Sequence, residues 1–144
     1  LILTTVICGA VFSPSISAAG TPYDYLYNDP AAQAAFIADK IREYFPPEAA
    51  EAMIRVANCE STGLIHWQPD GSLTPHATGV SSARGVLQIL FTLHRPDYQR
   101  LGLDMYDIDD YMQYGRYLYD TQGPENAWAE CTVQMPATVL AALR

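Results

Sequence analysis

The sequence predicts an α+β domain that is mainly α, with one small β-hairpin. Three observations carry that prediction. Apolar residues recur at spacings of three and four over 30–45, 47–60 and 108–118. Each of these runs opens on a proline or an aspartate suited to a helix start, and each closes on a proline or glycine breaker. The stretch 64–84 is polar and glycine-containing instead, and Pro69-Asp70-Gly71 within it is a strong turn signal with room for short strands on either side. A length of 144 residues, 49% of them hydrophobic and 17% charged, supports one domain with a real core and argues against disorder.

Residues 1–19 read LILTTVICGAVFSPSISAA and carry no charge. An apolar run to Phe12 gives way to Pro14 and small residues, with Ser17 and Ala19 spaced as at a signal-peptidase site. The absence of an initial Met and a basic n-region reads as N-terminal truncation of a secreted precursor. The rival, a membrane anchor, needs a longer apolar core than this. A lipidated Cys8 is disfavoured by the bulky Ile7 before it. The expected location is therefore secreted or periplasmic, at the cell envelope. Residues 20–28 read as a tyrosine-rich linker, and 29–144 as the single folded domain.

Asp29-Pro30 supplies an N-cap and an N1 proline for a helix to about Phe45, with Phe36, Ile37, Ile41, Tyr44 and Phe45 on one stripe. Pro46-Pro47 ends it and starts a second helix to Cys59 or Glu60. After the turn region, 85–91 (GVLQILF) is an apolar run that fits either strand or helix, and 94–104 reads as a short helix and turn. Asp107 caps a clearer helix whose inner face holds Ile108, Tyr111, Met112, Gly115 and Leu118. Gly123-Pro124 breaks it, 124–131 reads as one short helix carrying Trp128, and Val139, Leu140 and Leu143 give the tail helical spacing.

Sixteen acidic against eight basic side chains leave a formal charge of −8, with Lys40 the only lysine. No basic run exists, so nucleic acid is not an expected partner. His66, His76 and His94 lack zinc-ligand spacing, the acidic stretch at 104–115 lacks the glycine and spacing of an EF-hand, and no phosphate loop or nucleophile elbow is present. Neither a cofactor nor a metal is expected. With the leader removed, Cys59 and Cys131 remain as an even pair, which in an exported chain favours a disulfide over two buried thiols.

The candidate catalytic group is Glu60. In the second helix Met53, Val56 and Ala57 form the inner series, and the next member of that series is Glu60. A carboxylate at a helix C-terminus, turned toward apolar neighbours, holds its proton to higher pH because burial and the helix dipole both disfavour its charge. Such an acid can protonate a leaving oxygen, as glycoside cleavage requires. The plain alternative is an exposed helix-end carboxylate or one bonded to a nearby N–H.

The neighbours tilt the choice. Glu60-Ser61, then Gly85-Val86-Leu87-Gln88-Ile89, then Gly115 with Tyr117-Leu118, and the NAWAEC ending at Cys131 occur in this order. Together they resemble the motifs of the bacterial lytic transglycosylase and lysozyme-like superfamily, over 48–131. The resemblance implies a lysozyme-like helical fold with the hairpin beside a cleft. It implies Glu60 as acid and then base, and a Cys59–Cys131 disulfide. Ser61, Gly85, Gln88, Tyr117 and Trp128 become candidate substrate contacts. Each has a bland alternative: a helix-end serine, a turn glycine, a surface glutamine, and core aromatics. The family's Ala-Tyr-Asn motif is not visible; Asn126 or Trp128 stands nearest to it. Leu90 stands where relatives carry a polar residue or Met.

The implied partner is peptidoglycan glycan, bound by a monomer. The expected reaction is cleavage of the MurNAc–GlcNAc β-1,4 bond by one glutamate. Asp70, Asp97 and Asp104 show no motif for the second carboxylate that hydrolysis needs, which favours the transglycosylase over a hydrolytic lysozyme. A glycan-binding or structural envelope module without turnover is the alternative of another class.

Overall fold

A computed structural model describes residues 21–144. The expected leader and its cleavage site lie outside the described residues. Seven helices and one two-stranded antiparallel sheet are formed among the described residues: α1 Pro30–Tyr44, α2 Pro47–Ser61, β1 Ala83–Arg84, β2 Ile89–Leu90, α3 Phe91–Arg100, α4 Ile108–Gln122, α5 Pro124–Ala127, α6 Ala129–Thr132 and α7 Ala137–Ala142. The mainly helical α+β architecture stands. No helix among the described residues is long and apolar enough to cross a membrane.

The helix starts follow the sequence signals. Asp29 accepts from the Ala32 N–H with Pro30 at the first helical position of α1, and the Asp107 carboxylate accepts from the N–H groups of Asp109 and Asp110 at the start of α4. α1 packs on both α2 and α4, while α6 and α7 cover another part of α2. The core between them holds Ile37, Ile41, Met53, Val56, Leu87, Ile108, Tyr111 and Met112, all essentially without exposure. At about 25 cal/mol per Å² of apolar surface removed from water, this burial is the main stabilising term. α4 approaches this core closely because position 115 is glycine: a Cβ there would lie 2.6 Å from Cδ1 of Leu87.

Three expectations need correction. The hairpin does not flank Pro69-Asp70-Gly71. That turn forms, with Ser72 N–H donating to Asp70 at 2.9 Å, but only the isolated bridge Trp67↔Leu73 joins its arms. The paired strands instead surround Gly85–Gln88, with Ala83 opposite Leu90 and Arg84 opposite Ile89. The described part of the expected linker, 21–28, packs against the domain. Asp24–Leu26 form a 3-10 turn, Leu26 is buried, and the Tyr23 ring stacks on Trp67 at 5.3 Å. Finally, 124–131 is two short helices, because Trp128 leaves helical geometry (φ −132°, ψ 50°) to insert its ring into the core.

One buried amide organises the N-terminal half. Gln33 Oε1 accepts from the backbone N–H groups of His66 and Trp67 at 2.6 and 2.7 Å, while its Nε2 donates to the carbonyls of Leu26 and Trp67. All four hydrogen-bonding positions of the amide are used, which is what makes a glutamine tolerable there.

Candidate active site

α2 runs one turn beyond Val56 and stops at Thr62, which adopts a left-handed conformation (φ 51°), followed by Gly63 (φ 103°). Met53, Val56 and Ala57 are fully buried. Glu60, next in the series, is half-buried and lines an open cleft of about 310 Å³. His76, Ser81, Ala83, Gln88, Asn126, Trp128 and Glu130 are among its other walls. Among the described residues no hydrogen bond reaches the Glu60 carboxylate. Burial, with the negative charge of Glu130 adding to it, pushes Glu60 up from its ordinary value of 4.5 to about 7. At neutral pH the group therefore exists in both forms, as an acid that must later act as a base requires.

Gln88 faces the same cleft. It sits in the turn between β1 and β2 with a left-handed backbone (φ 48°). Its Nε2 donates to the carbonyls of Gly85 (2.9 Å) and Thr74 (3.3 Å), so both donor hydrogens are spent inside the protein. Because both partners are carbonyl oxygens, the amide orientation is determined, and the buried Oε1 is left without a partner. Gln88 lines the cleft, but its unsatisfied acceptor is covered rather than open to a ligand.

The turn itself is held from behind. The Leu87 N–H donates to the Tyr111 hydroxyl at 2.9 Å, and that hydroxyl donates to the Arg84 carbonyl at 2.8 Å. The Trp128 indole N–H donates to the Leu87 carbonyl at 2.8 Å. Val86 N–H donates to Nδ1 of His66, which burial pushes down to about 3, so that imidazole is neutral. Gly85 (φ 73°) is required here: a Cβ would stand 2.8 Å from both the His66 ring and the Tyr111 hydroxyl.

The candidate residues divide accordingly. Glu60, Gln88 and Trp128 line one cleft, and Trp128 is also a core residue, 3% exposed. Ser61 is buried and donates to the Ala57 carbonyl (2.9 Å) in its own helix rather than to Glu60. Gly85 is occupied by internal packing. Tyr117 is not a cleft residue; its hydroxyl accepts from Arg100 and its ring meets that of Tyr114. Asn126, which stands nearest to the absent Ala-Tyr-Asn motif, does line the cleft.

Sequence reasoning missed Glu130, the second carboxylate of the cleft. A signal for it existed. Cys59 and Cys131 are bonded, with Cα atoms 5.8 Å apart. Glu60 directly follows one and Glu130 directly precedes the other, so the bridge that joins α2 to α6 brings both acids to one place. Asp70 lies in the Pro69–Gly71 turn, Asp97 on α3, and Asp104 in the α3–α4 connection; none of them lines the cleft. Among the described residues no group of three His, Cys, Asp or Glu side chains is placed to hold a metal ion. No known protein family matches the chain, and no curated protein or solved structure does.

Proposed function

We propose that the protein is an exported, lysozyme-like peptidoglycan lytic transglycosylase that cleaves the MurNAc–GlcNAc β-1,4 bond. The observation that carries this reading is a desolvated, unbonded Glu60 sharing an open cleft with Gln88. Protonated Glu60 gives its proton to the glycosidic oxygen as the bond from C1 breaks. The resulting carboxylate removes the proton of the same sugar's C6 hydroxyl, whose oxygen closes on C1 to form a 1,6-anhydro ring. No water is consumed. Gln88, on the wall of the same cleft, orients the chain across Glu60, with the β1–β2 turn yielding to open its covered Oε1 to an amide N–H or hydroxyl of the sugar. Export is supported by the Cys59–Cys131 disulfide, which suits an oxidising compartment.

A specific observation favours a second reading. Glu130 in the cleft is a carboxylate available to activate water, which would make the protein a hydrolytic lysozyme. Mass spectrometry of digested sacculi separates the two: anhydro-muramyl ends support the transglycosylase, and reducing ends support the hydrolase. Glu60→Gln is expected to abolish cleavage while leaving glycan binding within about twofold. Wild-type protein that binds peptidoglycan and cuts none of it refutes both enzymatic readings and leaves a binding module.

A further inference from the structure

The cleft holds two acids where the single-glutamate mechanism uses one. Glu60 is half-buried on α2, and Glu130 is exposed on α6. Each is one residue, about 3.8 Å of backbone, from an end of the 5.8 Å span between the bridged cysteines. When two like charges share a site, the better hydrated one keeps its charge and the desolvated one keeps the proton. Burial decides which is which here.

We propose that Glu130 is a positioning residue for the acid, fixed beside Glu60 by the Cys59–Cys131 bridge so that its negative charge holds the proton on Glu60. The other titratable groups near Glu60 do not take that part. His76 enters the cleft from the 62–82 loop and can bring only positive or no charge. The Tyr111 hydroxyl on α4 is buried, with its proton committed to the Arg84 carbonyl. Gln88 and Asn126 are neutral. Glu130 is thus the acidic neighbour that lines the cleft with Glu60. The role assigned in turnover rests on the glycosidase reading above; the electrostatic coupling does not.

The experiment is a ¹³C NMR titration of the Glu60 side-chain carboxyl in the oxidised full chain, comparing wild type with Glu130→Gln and Glu130→Asp. The Glu60 midpoint falls by about half a pH unit or more in Glu130→Gln, with the larger share due to burial remaining. Glu130→Asp keeps most of the wild-type midpoint. Added salt lowers the midpoint in wild type and leaves it in place in Glu130→Gln, because an exposed charge is screened. A Glu130→Gln midpoint within 0.1 unit of wild type, roughly the reproducibility of such a titration, overturns the proposal. In turnover, the alkaline limb of kcat/KM for peptidoglycan moves down in step with the midpoint and the product ends keep their chemistry. A changed product in Glu130→Gln means that Glu130 handles the attacking oxygen itself, and also overturns the proposal. If wild type cuts no peptidoglycan, the glycosidase reading fails while the titration still decides the coupling.

Discussion

Replacing Glu60 by glutamine should stabilise the fold at neutral pH and do nothing for it in acid. Glutamine keeps the shape and removes the charge. In the native state Glu60 holds its proton up to about pH 7, against 4.5 for an ordinary glutamate. Between those values the native state binds a proton that the unfolded chain has lost, so stability falls as pH rises through the window. At 1.36 kcal/mol per pH unit that interval amounts to about 3 kcal/mol. Glu60 is only partly buried, and solvent screening reduces the figure to roughly 2 kcal/mol. The stability of wild type minus that of Glu60→Gln is therefore expected to drop by roughly 2 kcal/mol between pH 4 and pH 8. Urea denaturation of both proteins at pH 4, 6 and 8 reads this directly: with a slope of about 2 kcal/mol per molar, the gap between midpoints changes by about 1 M. Taking the difference cancels the titrating groups that are not coupled to Glu60. A gap that stays constant across the range means that the carboxylate is hydrated in the native state, and the reasoning that makes it an acid then has no physical basis.

His66 gives the opposite slope. Its folded-state value is depressed to about 3, so stability is fully present above pH 6.5 and is lost as pH falls toward 3, by on the order of 5 kcal/mol in full; urea curves at pH 7 and pH 4.5 should show about 3 kcal/mol of this loss in wild type and none of it in His66→Gln. Tyr111→Phe strands the Leu87 N–H and the Arg84 carbonyl in the core, and is expected to cost about 3 kcal/mol in a thermal or urea melt; on the proposed glycosidase reading it also weakens glycan binding through the loosened Gln88 turn. Removing the disulfide with the double variant Cys59→Ser, Cys131→Ser opens a loop of 72 residues and is expected to cost up to about 4 kcal/mol, measured against the oxidised wild type.

Much of the helical frame was legible because its signals are local. Asp29-Pro30, Pro46-Pro47 and Asp107 mark starts that the caps then realise, and the three-four spacing identifies the buried faces of α2 and α4. The position of Glu60 was legible for the same reason, as one more step along a periodic face. The hairpin was not. Its strands are two residues each, and what holds the turn is a set of long-range bonds to Tyr111, Trp128 and Thr74 that no local pattern records. Tyr114 was absent from the expected inner face of α4 yet is fully buried, because α3 covers that side through Tyr98 and His94. Trp128 broke the expected final helix because seating an indole against Leu87 outweighs continuing one turn of backbone hydrogen bonds. Glu130 could have been found only by following the disulfide from one cysteine's neighbour to the other's.

The Gln33 amide has a reach beyond its own surroundings. It clamps His66 and Trp67; the His66 carbonyl accepts from the Thr74 N–H, and the Thr74 carbonyl accepts from both Gly85 and the Gln88 side chain. A continuous relay thus runs from the first turn of α1 to the Gln88 amide on the cleft wall. Remodelling position 33, which does not line the cleft, would retune the Gln88 turn at a distance.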